Sequence, residues 1–133
     1  ITGCSSGIGL DASLTLSTRG YHVFATARDE NDVKFLQNQG VTALSLDLTS
    51  SESIHEAVNL ILDETGGTLD YLFNNGAYGQ PGALEDLSTE ALKAQFETNV
   101  FGWHELTKQI IPVMRKQDMV ELSNVVLYWA LFQ

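Results

Sequence analysis

Thr2-Gly3-Cys4-Ser5-Ser6-Gly7-Ile8-Gly9 decides the reading of this chain. Its glycines fall at spacings of four and two, between a stub of strand, Ile1-Thr2, and an amphipathic stretch. Glycine is needed where backbone turns tightly or approaches a ligand closely, because it lacks Cβ and tolerates positive φ. A glycine loop that opens a helix also presents backbone N–H groups, at the positive end of the helix dipole, to an anion. Between a strand and a helix the natural anion is a dinucleotide pyrophosphate. A tight turn that binds nothing is the plain alternative. A P-loop is excluded, since no Lys-Ser/Thr pair follows the glycines.

Outward from the loop, strands and helices alternate. The first helix runs from about Gly7 to Arg19 with Ile8, Leu10, Ala12, Leu14 and Leu16 facing inward, and Gly20 stops it. Tyr21 to Ala27 is β-branched and aromatic, a buried strand. A short helix over Asn31 to Gln39 ends at Gly40, and Val41 to Asp47 is the next strand. Thr49-Ser50-Ser51-Glu52 has capping-box spacing ahead of a helix carrying Ile54, Ala57, Val58, Ile61 and Leu62, closed by Gly66-Gly67. Leu69 to Asn75 is the fourth strand, counting the stub as the first. Ser88 then caps one long helix to about Lys116, with Leu92, Phe96, Trp103, Leu106, Ile110 and Val113 as its inward stripe and a kink expected at Pro112. Alternation of this kind means parallel βαβ units, hence an α/β doubly wound sheet with helices on both faces and strand order 3-2-1-4.

Composition narrows the function. A chain of 133 residues holds one domain with a core, and a mean hydropathy near zero fits a globular protein. The net charge of −10 argues against nucleic acid or an anionic membrane as partner. No apolar run is long enough to span a bilayer. The single cysteine, Cys4, excludes an internal disulfide and fits a reducing, cytoplasmic setting. His22, His55 and His104 lack ligand spacing, so no metal is expected. The start at Ile1, inside a strand, leads us to expect an incomplete N-terminus.

Several residues fall where a dinucleotide needs them. Arg28 ends the second strand about twenty residues beyond the glycines, where a base favours the 2′-phosphate of NADP over NAD. Asp47-Leu48 ends the third strand at the edge that faces the ligand crevice, with a carboxylate suited to an adenine amino group. Asn74-Asn75 ends the fourth at the same edge. Asn99 lies on the apolar stripe of the long helix, and a buried amide there must find partners or cost about 1–3 kcal/mol.

With these residues the sequence resembles the short-chain dehydrogenases/reductases. Thr2-Gly3-x-x-x-Gly7-x-Gly9 looks like that family's cofactor fingerprint, Asp47-Leu48 its adenine pair and Asn74-Asn75 the start of its Asn-Asn-Ala-Gly motif, here with Gly76-Ala77 in reversed order. Asn99 looks like the helix asparagine of its Asn-Ser-Tyr-Lys catalytic group. The resemblance implies a Rossmann-like fold and hydride transfer between NADP and an alcohol or carbonyl. Gly3, Ser5, Ser6, Gly7, Ile8, Gly9, Arg28, Asp47, Leu48, Asn74 and Asn75 would hold the cofactor, and Asn99 would support a water in a proton relay. The wording of the loop, with Arg28, is similar to members that act on steroids, retinoids and other lipophilic alcohols. Pairing of two copies through the Asn99 helix is implied as well, with Phe101 and Ile111 on its outer face. None of Tyr21, Tyr71, Tyr78 and Tyr128 has a lysine four residues on, so the Tyr-x-x-x-Lys pair is absent from these residues. A non-catalytic dinucleotide-binding remnant is the competing expectation.

Residues 1–117 thus read as a dinucleotide-binding region, and 118–133 as an aberrant tail. Read one base out of frame, the degenerate code of that tail permits Arg/Gly-His-Gly-Arg-Ile-Val-Gln-Cys-Ser-Ser-Val-Leu-Gly, a serine-bearing strand of the kind the family would have there. The expectation is a frameshift near Gln117 that cuts the protein short, with Leu127 in the serine's place and Val125 to Phe132 apolar enough for a strand. Sequencing the gene across that codon tests it.

Overall fold

The computed structural model describes residues 1–117 and 121–124. Strand β1 (Phe24–Ala27) is buried along its whole length and pairs in parallel with β2 (Thr42–Ser45). Strand β3 (Tyr71–Asn74) pairs in parallel with β4 (Glu121–Asn124). The stub at the start of the chain joins the two pairs. Ile1 N donates to Phe24 O at 2.9 Å, Thr26 N to Ile1 O at 3.0 Å and Cys4 N to Thr26 O at 2.8 Å. On its other side Thr2 N donates to Phe73 O at 3.0 Å. The spatial order is therefore β2, β1, residues 1–4, β3, β4, which is the expected order with a further strand added beside β3.

Helices cover both faces. Helices α1 (Gly7–Thr18) and α2 (Glu30–Asn38) close one side over Cys4, Ala25, Val33, Leu36 and Ala43. Helix α3 (Ser51–Thr65) and helix α5 (Trp103–Lys116) close the other over Leu46, Ile54, Leu72, Leu106, Ile110 and Met114. The expected strands over Tyr21 to Ala27, Val41 to Asp47 and Leu69 to Asn75 are each shorter than read, because only four residues of each lie in a strand-to-strand ladder, the last four of the first and the middle four of the other two. The α3 cap is also one residue later than its spacing suggests. Ser50 accepts from Ser53 N at 3.2 Å, while Thr49 donates through N and Oγ1 to Asp47 Oδ1.

The long helix departs most from expectation. It is α4 (Thr89–Phe96), one π-helical turn over Glu97–Gly102, then α5, which runs through Pro112. Ser88 caps it as read, accepting from Ala91 N at 3.1 Å. A π turn inserts a residue and rotates everything after it by about 100° relative to what precedes. The inward row is therefore Gly102 at the end of the π turn, then Leu106, Ile110 and Met114 on α5, whereas Leu92 and Phe96 on α4 are about half exposed. On α1 the inward positions are likewise Gly9 and Ser13, and Ile8 is 59% exposed rather than buried.

Candidate functional site

Parallel sheets take their ligands at the carboxyl ends of the strands. At that edge a groove of about 450 Å³ runs from the glycine loop, past the ends of β1 and β2, to the loop after β3. Of the residues singled out in the sequence, Gly3, Ser5, Arg28, Asp47 and Leu48 line it. The others do not line it: Ser6, Gly7 and Ile8 are exposed, Gly9 packs on Gly3 and Asn75, Asn75 turns to the glycine loop, and Asn74 turns to Thr107 and Asn124. Thr26, Asp29, Asp32, Ala77, Tyr78 and Thr98 also line the groove and had not been picked out. A larger, mainly apolar cavity of about 750 Å³ opens at the opposite strand ends and shares Thr2, Thr26 and Leu46 with the groove.

The three glycines of the loop do different work. Gly7 has φ +57° with nothing near its missing Cβ, so it is glycine for its backbone shape and stays open to a ligand. Gly9 is glycine for packing, and Gly3 for both reasons, with φ +68° as well as a close neighbour. A Cβ on Gly3 would meet Gly76 Cα at 2.5 Å, and one on Gly9 would meet Asn75 Nδ2 at 2.5 Å as well as the Gly3 carbonyl. The helix they open is uncapped: the Ser6 side chain makes no capping hydrogen bond, which leaves first-turn N–H groups for an anion.

Thr2 and Asn75 lock the loop to the end of β3. The Thr2 hydroxyl accepts from Asn75 N at 2.9 Å and from Gly76 N at 2.8 Å. Asn75 Nδ2 donates in return to Thr2 O and Gly3 O, both at 3.0 Å. The Asn75 side chain thus turns toward the glycine loop. Asn74 is buried, donating through Nδ2 to Thr107 Oγ1 at 3.1 Å and to Asn124 Oδ1 at 2.9 Å. These bonds tie β3 to α5 and β4. The reversed Gly76-Ala77 order fits the same interlock: a Cβ on Gly76 would stand 3.1 Å from Gly3 N and 3.2 Å from Thr2 Oγ1.

Asn99 is satisfied as the sequence required, but by backbone. Its Oδ1 accepts from Tyr78 N at 3.1 Å and its Nδ2 donates to Tyr78 O at 2.7 Å. The side chain is spent on the groove wall. Gly102, in the same π turn as Asn99, lets the helix approach the segment after β2 closely, since a Cβ on it would collide with the Leu48 carbonyl.

Charge at the β1 end of the groove is mixed. Arg28 is exposed and makes no ion pair among the described residues, where the one such pair is His22 with Glu64. Asp29 beside it caps α2, accepting from Asn31 N at 2.7 Å, so its charge is directed at that helix. Asp32 faces the groove. Cys4 is fully buried and its thiol donates to Ile1 O, and burial pushes its pKa above the ordinary thiol value. It is a packing residue, poorly suited to be a nucleophile. The expected serine position, Leu127, and the apolar run Val125 to Phe132 lie outside the described residues.

Comparison with known proteins now adds to this geometry. Residues 1–125 match the short chain dehydrogenase family. The chain is 40% identical over 114 residues to the uncharacterized oxidoreductase YbbO of Escherichia coli strain K12, covering 86% of this chain and 42% of that protein. It is 38% identical over 138 residues to retinol dehydrogenase 8 of Bos taurus, covering 94% and 43%. Among solved structures, a short-chain dehydrogenase from Streptomyces avermitilis superposes with a TM-score of 0.85 at 31% identity, covering 93% of this chain and 46% of that one. A variant actinorhodin polyketide ketoreductase solved with NADPH superposes at 0.83 and 31% identity, covering 93% and 50%. The chain spans less than half the length of these curated relatives.

Proposed function

The chain belongs to the short-chain dehydrogenase family, a family of oxidoreductases, and on that premise we propose that its groove binds NADP. The observation that carries this reading is Arg28, an exposed guanidinium at the groove without an ion pair among the described residues. It is suited to a 2′-phosphate, which a guanidinium meets with paired donors. The uncapped start of α1 and the open Gly7 suit the pyrophosphate, with Gly3, Ser5, Ser6, Ile8 and Gly9 shaping the turn. Asp47 and Leu48 suit the adenine, Asn75 ties the glycine loop to the end of β3, and Asn74 ties β3 to α5 and β4. A ketoreductase of similar structure, solved with NADPH, supports the same choice of cofactor.

When bound, such a cofactor supplies the hydride. The substrate we propose is a lipophilic alcohol or carbonyl, in line with the name of the similar retinol dehydrogenase. We place the protein in the cytoplasm, with pairing of two copies through the Asn99 helix, where Phe96 and Phe101 are exposed with ring centroids 6.4 Å apart. No described helix is long and apolar enough to cross a membrane.

A second reading is that these 133 residues bind the cofactor without turning it over. It is favoured by the absence of Tyr-x-x-x-Lys from them. Both readings predict that NADPH fluorescence rises on binding; only the first, carried by further catalytic groups, predicts oxidation of NADPH by a ketone. We expect binding without turnover from residues 1–133. Lack of binding by folded protein contradicts both readings, and turnover contradicts the need for the missing pair.

A further inference from the structure

The stretch Asn75 to Tyr78, which forms the β3 side of the groove, is held almost entirely by side chains from elsewhere. Thr2 Oγ1 takes the N–H groups of Asn75 and Gly76, and Asn99 takes the backbone N–H and C=O of Tyr78. The remaining anchor is Trp103. Its indole Nε1 donates to Gly76 O at 2.7 Å, across 27 residues of sequence, from the first position of α5. A peptide unit is planar, and no peptide bond in the described chain is cis, so a carbonyl and the following N–H point opposite ways. With Gly76 O turned to Trp103, the Ala77 N–H is turned away from the helix. Gly76 and Ala77 both line the groove, and Ala77 N–H has no hydrogen-bond partner among the described residues.

We propose that Trp103 is a positioning residue of the cofactor groove: by holding Gly76 O it aims the Ala77 N–H at an acceptor oxygen of the bound dinucleotide. Trp103 does not touch the ligand; it fixes the direction of a donor that would otherwise turn with its peptide. Since α5 is packed through Leu106, Ile110 and Met114, the anchor is rigid. The proposal rests on the reading that the groove binds NADP.

The test is an NMR titration of the chain, ¹⁵N-labelled at alanine and tryptophan, with NADPH. Ala77→Gly identifies the Ala77 amide, and Trp103→Phe, which keeps a ring and loses the N–H, identifies the Trp103 indole. The Ala77 amide and the Trp103 indole are expected to shift together and saturate together. Trp103→Phe is expected to weaken NADPH binding about five- to tenfold, the worth of one hydrogen bond. Triple-resonance assignment of uniformly labelled wild type gives the same two signals without substitution, so a poorly folded variant does not shield the proposal. A stationary Ala77 amide at saturating NADPH, or a folded Trp103→Phe that binds as wild type does, overturns it and leaves the NADP reading standing. Absence of any shift in folded wild type overturns both.

Discussion

The Asn99 carboxamide closes on the Tyr78 backbone with both its ends, accepting from Tyr78 N at 3.1 Å and donating to Tyr78 O at 2.7 Å. A primary amide pairs with one residue in this way because its carbonyl and NH₂ lie side by side, matching a backbone N–H and C=O that belong to successive peptide planes and point to the same side. The contact joins the π turn to the groove wall across 21 residues of sequence. It makes the Asn99 side chain a brace for the site, whatever the Asn99 backbone does besides.

Asn99→Ala is therefore expected to loosen the loop more than the fold. The bonds are solvent-exposed, so the cost in stability is about 1 kcal/mol. Hydrogen exchange at the Tyr78 amide should speed up strongly, while exchange in β1 is unchanged. An unaltered Tyr78 amide would show that the clasp does not hold the loop.

The glycines separate by the same kind of measurement. Gly9→Ala places a methyl against Asn75 Nδ2 and the Gly3 carbonyl, backbone and side chain that are themselves locked, and should cost about 3 kcal/mol in urea unfolding. Gly7→Ala meets open space and carries only the strain of φ +57°, about 1 kcal/mol. Equal losses for the two would mean that the loop relaxes and is not interlocked with β3.

Much of this arrangement was legible in the sequence, and the failures have identifiable causes. Periodicity located α1, α2, α3 and β1 to β3, whose apolar residues pack into the core, but not β4, whose residues Glu121–Asn124 are mostly exposed and carry no apolar pattern. The same periodicity missed the π turn, since an inserted residue leaves Leu92, Phe96 and Leu106 at helical-looking spacings while rotating the first two out to solvent. The end positions Arg28 and Asp47 were found because strand ends are marked by composition. Thr2 stands in the loop motif, but the task of its hydroxyl is not legible there, since its partners are more than seventy residues on. Asn75 was read as facing the ligand, yet its amide turns to the Gly3 carbonyl, a distinction of rotamer that no spacing carries.

Cys4 gives a prediction in pH. Burial raises its thiol pKa in the folded chain, so the native state keeps the proton when the unfolded state loses it. The contribution is complete below the ordinary thiol pKa of about 8.5 and is lost as pH rises from there toward the folded value, at about 1.4 kcal/mol per pH unit. Urea midpoints should fall between pH 8 and pH 10 for wild type and fall less for Cys4→Ala. Iodoacetamide should label Cys4 only on unfolding. An equal decline in both proteins would assign the pH dependence to other groups.

The central claim is that the groove beside Arg28 selects NADP, and a paired titration of the chain with NADPH and NADH, repeated on Arg28→Ala, tests it most directly. Wild type is expected to bind NADPH roughly 10- to 100-fold more tightly than NADH, the worth of a charged hydrogen-bond pair. Arg28→Ala should bring the two affinities together, chiefly by weakening NADPH. Equal affinities in wild type, or a preference that survives Arg28→Ala, would contradict the claim.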